Sequence, residues 1–270
     1  MRQVKIATWN INSVRMRRLI VERLLNEAEP DVLFLQETKC QDGQFPAADF
    51  RKLGYEHIAL NGGRGGYHGV AIVSRLPLGD VQVREFCEKV GDPRHISAVI
   101  GEGNSAFRVH NFYVPAGGDE PDIDINPKFD HKLRFLDEMK DFLPTATDGL
   151  PDVVVGDLNV APHEHDVWSH KALLKIVSHT PIECEKLEAV RAAVGYVDIA
   201  RRFVPLEEKL YSWWSYRAKD WRAADKGRRL DHIWAHPDMA ERVSDFRILK
   251  DARDWDRPSD HAPVMVNIEV

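Results

Sequence analysis

Short apolar runs of β-forming residues recur along the chain, and most of them end in polar residues. The pattern predicts strands over Val4–Asn10, Asp31–Gln36, Gly69–Ser74, His95–Ile100, Phe107–Val114, Asp152–Val155, Leu230–Ala235 and Val264–Val270. Several are almost unbroken (V-L-F-L, V-A-I-V, V-V-V), which suits strands covered on both faces. Three stretches carry helical spacing instead. Val14–Glu29 repeats Val14, Leu19, Ile20, Leu24, Leu25 and Ala28, with Asn12 or Ser13 as its expected cap and Pro30 beyond its end. Lys128–Leu143 repeats Phe129, Leu133, Leu136, Met139 and Phe142 up to Pro144, and Leu187–Val194 runs to Gly195. Many strands with a few helices between them imply a two-sheet α/β sandwich with helices outside. Strand-like segments resume at once after the Gly62–Gly69 and Pro115–Pro127 stretches, so neither reads as a linker. One domain spanning residues 1–270 is expected.

Composition narrows the class. An apolar fraction of 43%, with seven Trp and eleven Phe, is ample for a core, and 30% charged residues imply a soluble surface. No apolar run approaches the roughly 20 residues of a membrane span. The N-terminus lacks a leader pattern. Cys40, Cys87 and Cys184 are odd in number and widely spaced, which fits reduced thiols and a cytoplasmic location. A net charge of −6 says little against a polyanionic partner, because phosphate binding depends on local charge and bound cations. Between Arg217 and Arg229, six basic residues stand against Asp220 and Asp225, a local +4. By itself such a run reads as a solvated loop.

The polar residues at strand ends carry the chemistry. T-W-N-I-N closes the first strand, L-Q-E-T-K the second, N-F-Y-V-P a third and V-G-D-L-N a fourth; R-L-D-H opens another, and S-D-H precedes the last. Polar strand ends are common in any fold. This set, however, holds hard oxygen donors (Asn10, Glu37, Asp260) suited to Mg²⁺ or Mn²⁺, and no Cys/His cluster for zinc. It also holds His261 with an adjacent Asp to fix its tautomer. Asp157 and Asn159 lie two apart and face one side of an extended chain. Tyr113 and Lys128 add a phenol and a positive charge. These are the parts phosphodiester hydrolysis requires: a charge-neutralising metal and fixed donors for the phosphoryl oxygens.

The six motifs, in this order and together with Y-S-W-W-S-Y-R before R-L-D, resemble the exonuclease III / AP endonuclease branch of the endonuclease–exonuclease–phosphatase superfamily. The likeness runs from Val4 to Val270. It implies a four-layer α/β sandwich of two mainly antiparallel sheets flanked by helices, as in deoxyribonuclease I. It implies Glu37 as principal metal ligand, with Asn10 and Asp260 near the metal. Asp157 resembles the carboxylate that activates water or protonates the leaving oxygen, and Asn159 the amide holding a phosphate oxygen. Asp231 resembles the partner of His261, and His261 and Tyr113 the groups at the scissile phosphate. Asn12, Lys39, Lys128, Trp213, Arg217 and Leu230 fall to the DNA side, with Trp213 the exposed member of the Trp213–Trp214 pair and the +4 segment a phosphate-contacting loop.

Two positions depart from the pattern. Ala116 follows Tyr-Val-Pro where many relatives carry an amide, so one phosphate donor is missing or replaced. Arg228 precedes Leu230 where some relatives place a second pocket aromatic, leaving the pocket to Trp213 and Leu230. The function implied is a Mg²⁺-dependent DNA repair nuclease acting on double-stranded DNA at abasic sites or 3′ ends; a monomer is expected because no apolar heptad or unexplained hydrophobic surface run is visible. The alternatives are a phosphatase or phospholipase of the same fold, and a nuclease-like regulator without catalysis; every metal and His–Asp position is filled, against the last.

Overall fold

The computed structural model describes residues 2–88, 91–146 and 148–270. The strands in chain order are β1 (Gln3–Asn10), β2 (Val32–Gln36), β3 (His57–Asn61), β4 (Val70–Ser74), β5 (Leu78–Val83), β6 (His95–Ile100), β7 (Phe107–Tyr113), β8 (Asp152–Asp157), β9 (Val197–Asp198), β10 (Trp213–Trp214), β11 (Gly227–Arg228), β12 (Asp231–Ala235), β13 (Val243–Ile248) and β14 (Val264–Glu269). Twelve of them form two six-stranded sheets, ordered β13-β14-β1-β2-β4-β3 and β5-β6-β7-β8-β12-β9. Each sheet is antiparallel except for one central parallel pair, β1–β2 in the first and β7–β8 in the second. β10 and β11 make a separate two-stranded ribbon.

Successive strand residues point to opposite faces, and that period decides what lies between the sheets. Val4 and Ile6 of β1, Val32 and Phe34 of β2, Val109 of β7, Val153 and Val155 of β8, and Ile233 and Ala235 of β12 all join one core between the sheets. The intervening residues face outward. Ala7, Trp9, Leu33 and Leu35 pack on the helix Arg18–Glu27, and Phe112, Val154 and Trp234 pack on the helices Pro127–Phe142 and Pro181–Val194. Helix, sheet, sheet and helix make four layers. The inward parity, carried to the strand ends, reaches Asn10, Gln36, Tyr113, Asp157 and Asp231. Both parallel pairs end at the same rim, where β12 and β14 begin, so these polar residues collect there.

The first helix begins at Arg18, four residues later than its apolar spacing predicts, and neither Asn12 nor Ser13 caps it. Both have positive φ, 47° and 86°, and are held in the rim: the Ser13 amide donates to the Glu37 carbonyl at 2.7 Å. Leu19, expected on the buried face, is 65% exposed. The third helix starts earlier than its apolar spacing shows. Thr180 caps it in a capping box with Glu183, Pro181 occupies its first turn, and Gly195 closes it at φ 80°.

Candidate active site

Three side chains line one wall. β7, β8 and β12 place Tyr113 opposite Asp157 and Asp157 opposite Asp231, one row across adjacent strands. Gly156 fixes the closeness of this wall. Its φ is 137°, and a Cβ there would sit 2.0 Å from the Phe112 carbonyl oxygen, so only glycine lets β8 lie this close to β7. Just past the strand, Asn159 turns back with φ 54°, its amide N–H donating to Asp157 Oδ1 at 3.0 Å and its Nδ2 to Val114 O at 2.8 Å and Asp157 Oδ2 at 3.1 Å.

The other sheet supplies the facing wall. Asn10, at the end of β1, reaches across: its Nδ2 donates to Asp157 Oδ2 at 2.8 Å and to Glu37 Oε1 at 2.9 Å. Below it, Gln36 Nε2 donates to Asn111 Oδ1 at 2.7 Å, a second polar tie between the sheets. The segment before β14 closes the third side. Ser259 Oγ donates to the Asn10 carbonyl at 2.6 Å and Trp9 Nε1 to the His261 carbonyl at 2.9 Å. His261 Nδ1 then meets Asp231 Oδ2 at 2.8 Å, while its Nε2 lies 3.8 Å from Asp157 Oδ2. Among the described residues, Asp157, Asp231 and His261 form the compact group of acidic and imidazole ligand atoms.

Burial and charge set the protonation of this cleft. Burial pushes the Asp157 carboxyl up to about 7; the His261 charge and the Asn10 hydrogen bond oppose the rise, and the Asp231 charge adds to it. Burial acts to lower His261, but Asp231 and Asp157 outweigh it and hold the imidazole well above its ordinary value. Burial also acts to raise Glu37, yet Lys39 and the Asn10 hydrogen bond keep its carboxyl below the usual range. Asp260 is held low in the same way, by His261, Trp213 and Asn12 against burial. The Tyr113 hydroxyl faces Glu37, and burial with Glu37 and Asp157 pushes its pKa far up, so it stays a donor.

Of the residues expected near a metal, Asn10 is bonded directly to Glu37, and Asp260 joins them through other side chains. Glu37 and Asp260 are linked through Lys39 and Asn12: Lys39 Nζ lies 2.7 Å from Glu37 Oε2 and donates to Asn12 Oδ1 at 2.7 Å, and Asn12 Nδ2 donates to Asp260 Oδ1 at 3.2 Å. A cationic ammonium thus already rests against Glu37, between its carboxylate and the Asn12 side-chain oxygen. All the donors are hard oxygens and both carboxyls are ionised, which fits a hard divalent ion.

Around the rim the sequence expectations divide. Lys128 is exposed beside Tyr113 and Ala116, in a cleft of about 310 Å³ that His131 and Arg94 also line. Ala116 offers no side-chain donor, and its carbonyl accepts from Lys132 Nζ at 3.3 Å. Trp213 is the more open of the two tryptophans, half-buried against 1% exposure for Trp214, and its Nε1 donates to Asp260 Oδ2 at 2.9 Å. Leu230 is 5% exposed and packs with Val167 and Leu173 beneath Trp213, so it is a floor rather than an open contact. Arg217 is exposed. The Arg64 side chain, in the Gly62–Gly69 loop, lies outside the described residues.

The +4 segment is not one phosphate-contacting stripe. Arg229 is fully buried and bidentate to Asp166, at 2.7 and 2.9 Å, with Asp198 at 2.8 Å. Arg222 pairs with Asp251 at 2.6 Å and with Asp254, and Lys226 lies over the Trp168 ring. Carboxylates thus hold two of its six cations, Arg222 and Arg229.

Three supporting residues were not singled out from the sequence. Ser212 Oγ donates to Asp231 Oδ2 at 2.6 Å and accepts the Leu230 and Asp231 amides; its only signal was its place in Y-S-W-W-S-Y-R. Lys132, fully buried on the helix Pro127–Phe142, donates to Asn159 O at 2.8 Å and pairs with Glu183. Asp166 anchors Arg229, and through it the turn that carries Asp231.

The chain matches the model of the Endonuclease/Exonuclease/phosphatase family over residues 7–261. It is 30% identical to exodeoxyribonuclease III of Haemophilus influenzae, over 97% of this chain and 98% of that one. Among solved structures, an AP endonuclease from Archaeoglobus fulgidus superposes with a TM-score of 0.90 at 35% identity, covering 99% of this chain and all of that one. A 3′ phosphatase from Neisseria, bound to a product DNA hairpin, does so with a TM-score of 0.88 at 31% identity, again over 99% of this chain and all of that one.

Proposed function

The chain belongs to the endonuclease/exonuclease/phosphatase family, and from that premise we propose that it is a Mg²⁺-dependent DNA repair nuclease of the exodeoxyribonuclease III type. Its reaction is hydrolysis of the phosphodiester 5′ to an abasic site, and release of terminal nucleotides or blocking groups from 3′ ends of duplex DNA, leaving a 3′-hydroxyl. The observation that carries this reading is the single cleft in which Tyr113, Asp157 and Asp231 form one wall, Asn10 and Glu37 another, and His261 the third.

In this reading each side chain acts by what it presents. His261, held by Asp231 through Nδ1, turns Nε2–H toward a phosphate oxygen. Tyr113 gives a further donor, Asn159 gives one by exchanging its Asp157 Oδ2 hydrogen bond for the phosphate, and the fixed row stabilises charge that develops on the phosphoryl oxygens. Asp157, raised by burial toward neutrality, takes a proton from the attacking water or returns one to the departing oxygen. Glu37, with Asn10 and Asp260 nearby, would hold Mg²⁺, or Mn²⁺ in its place. That ion supplies neutralisation of phosphate charge. Lys39 and Asn12 steady these ligands, while Lys128, Trp213 and Arg217 meet the strand on either side, with Leu230 supporting Trp213.

No helix among the described residues is long and apolar enough to cross a membrane, and Cys40, Cys87 and Cys184 are free. In this reading the protein acts on DNA in the cytoplasm, as a monomer of one domain. Turnover of an abasic duplex compared with that of inositol phosphates and sphingomyelin tests the substrate class. The duplex is expected to be cleaved at least about 100-fold faster; faster turnover of the small esters or lipid would replace this reading with a phosphatase or phospholipase.

A further inference from the structure

Adjacent arginines in R-R-L-D meet opposite fates. Arg229 is enclosed by Asp166 and Asp198. Arg228 has no such partner: its Nη1 donates to the Val177 carbonyl at 3.0 Å and Ser178 Oγ at 2.7 Å, and its buried Nε makes no hydrogen bond among the described residues. Glu183 acts on it across space, but the oxygens of Glu183 are taken by Lys132, Ser178 and Thr180. A half-buried guanidinium without a carboxylate is costly to keep unless an anion completes it.

Its position says which anion. Trp213 pairs with Arg228 on one side and with His261 on the other. Directly opposed residues on adjacent strands share a face, so His261, Trp213 and Arg228 stand in one row. The Arg228 guanidinium lies over the Trp213 ring, 5.3 Å from its centroid, and Leu230 and Val167 form the apolar floor. A group attached to the scissile phosphate and running along this row away from His261 meets a cation at the far wall.

We infer that Arg228 sets the specificity of this cleft toward 3′ ends whose terminal group carries its own negative charge, over the neutral sugar of an abasic site. Such groups are the carboxylate of a 3′-phosphoglycolate and the extra phosphate of a 3′-phosphorylated terminal nucleotide. The inference rests on the nuclease reading and narrows its substrate. The chemical step is unchanged. A water oxygen bonds to phosphorus as the bond to the DNA 3′ oxygen breaks; that oxygen takes a proton, and the released phosphate keeps the anionic group.

The test compares duplexes ending in 3′-phosphoglycolate with the same duplex ending in the uncharged glycolamide, and ends with and without a terminal 3′-phosphate on the last nucleotide. The wild-type chain should favour a charged member by about 10- to 100-fold in kcat/KM, the factor one charge-assisted hydrogen bond carries. Preference within the glycolate pair assigns the carboxylate, and within the nucleotide pair the phosphate. Arg228→Gln should bring the ratio near one while leaving glycolamide release within a few-fold, and Arg228→Lys should restore part of it. A wild-type ratio of one or less, or an unchanged ratio in Arg228→Gln, overturns the inference. The wild-type ratio needs no variant, so it decides the matter even if Arg228→Gln does not fold. Absence of Mg²⁺-dependent release from every end would instead remove the nuclease reading itself, and this inference with it.

Discussion

His232 lies one residue from the catalytic wall, on the outward parity of β12, and is fully buried. Its neutral form is fully used: Nε2–H donates to the Val160 carbonyl at 2.9 Å, and Nδ1 accepts from Arg229 Nη1 at 3.2 Å. A proton on Nδ1 would face the guanidinium, so burial first and Arg229 second push the group down to about 4. In the unfolded chain it returns to about 6.5. Because the folded value lies below the unfolded one, this group's contribution to stability is fully present above about pH 6.5 and is lost as pH falls toward 4. Between pH 7 and pH 5 the loss is about 2 kcal/mol for this one side chain, a sizeable part of an ordinary domain's stability. His232→Gln removes the titration. Urea unfolding followed by Trp fluorescence, on both chains at both pH values, should show the wild-type chain losing about 2 kcal/mol more than the variant. Equal losses, or an NMR titration placing native His232 near 6.5, would refute the reasoning.

Other perturbations address the site and its support. Asp231→Asn should lower kcat on an abasic duplex by about 100- to 1000-fold with little change in melting temperature, since it weakens the fixed donor at the phosphate; near-normal turnover would remove the His–Asp pair from the mechanism. Glu37→Gln should raise the Mg²⁺ concentration needed for half-maximal cleavage at least about tenfold, read from a metal titration. Gly156→Ala, placing a methyl against the Phe112 carbonyl, should cost about 3 kcal/mol or more and lower the melting temperature by roughly 6–12 °C. Arg229→Met leaves Asp166 buried with Arg201 alone and should destabilise by about 3–5 kcal/mol in urea unfolding.

The central strands were legible because both their faces are covered, and residues such as V-V-V and V-A-I-V have no other use. The edges were not. β5, L-G-D-V-Q-V, is exposed over most of its length, and β13 alternates weakly, so neither carries an apolar signal. The start of the first helix was misplaced because Val14 is buried without being helical: the segment before Arg18 follows the rim, with Asn12 and Ser13 in left-handed conformations. Within the site, strand parity brings Asn10, Tyr113, Asp157 and Asp231 to one place, as their spacing from neighbouring apolar residues implies. What spacing does not reveal is partnership. Arg229 reads as a surface charge until Asp166, 63 residues away, encloses it. Lys132 interrupts an apolar helix face because it ties two loops together, and Ser212 is an ordinary serine until Asp231 lies against it.

The central claim is that side chains from Asn10 to His261 act together, with a divalent ion, on one sugar–phosphate linkage. Mapping the products of a 5′-labelled duplex with a single abasic site, with Mg²⁺ and with EDTA, tests it most directly. The account predicts one cut, immediately 5′ to the abasic residue, leaving a 3′-hydroxyl, and none with EDTA. Cleavage on the 3′ side, cleavage indifferent to EDTA, or an intact duplex in Mg²⁺ would contradict it.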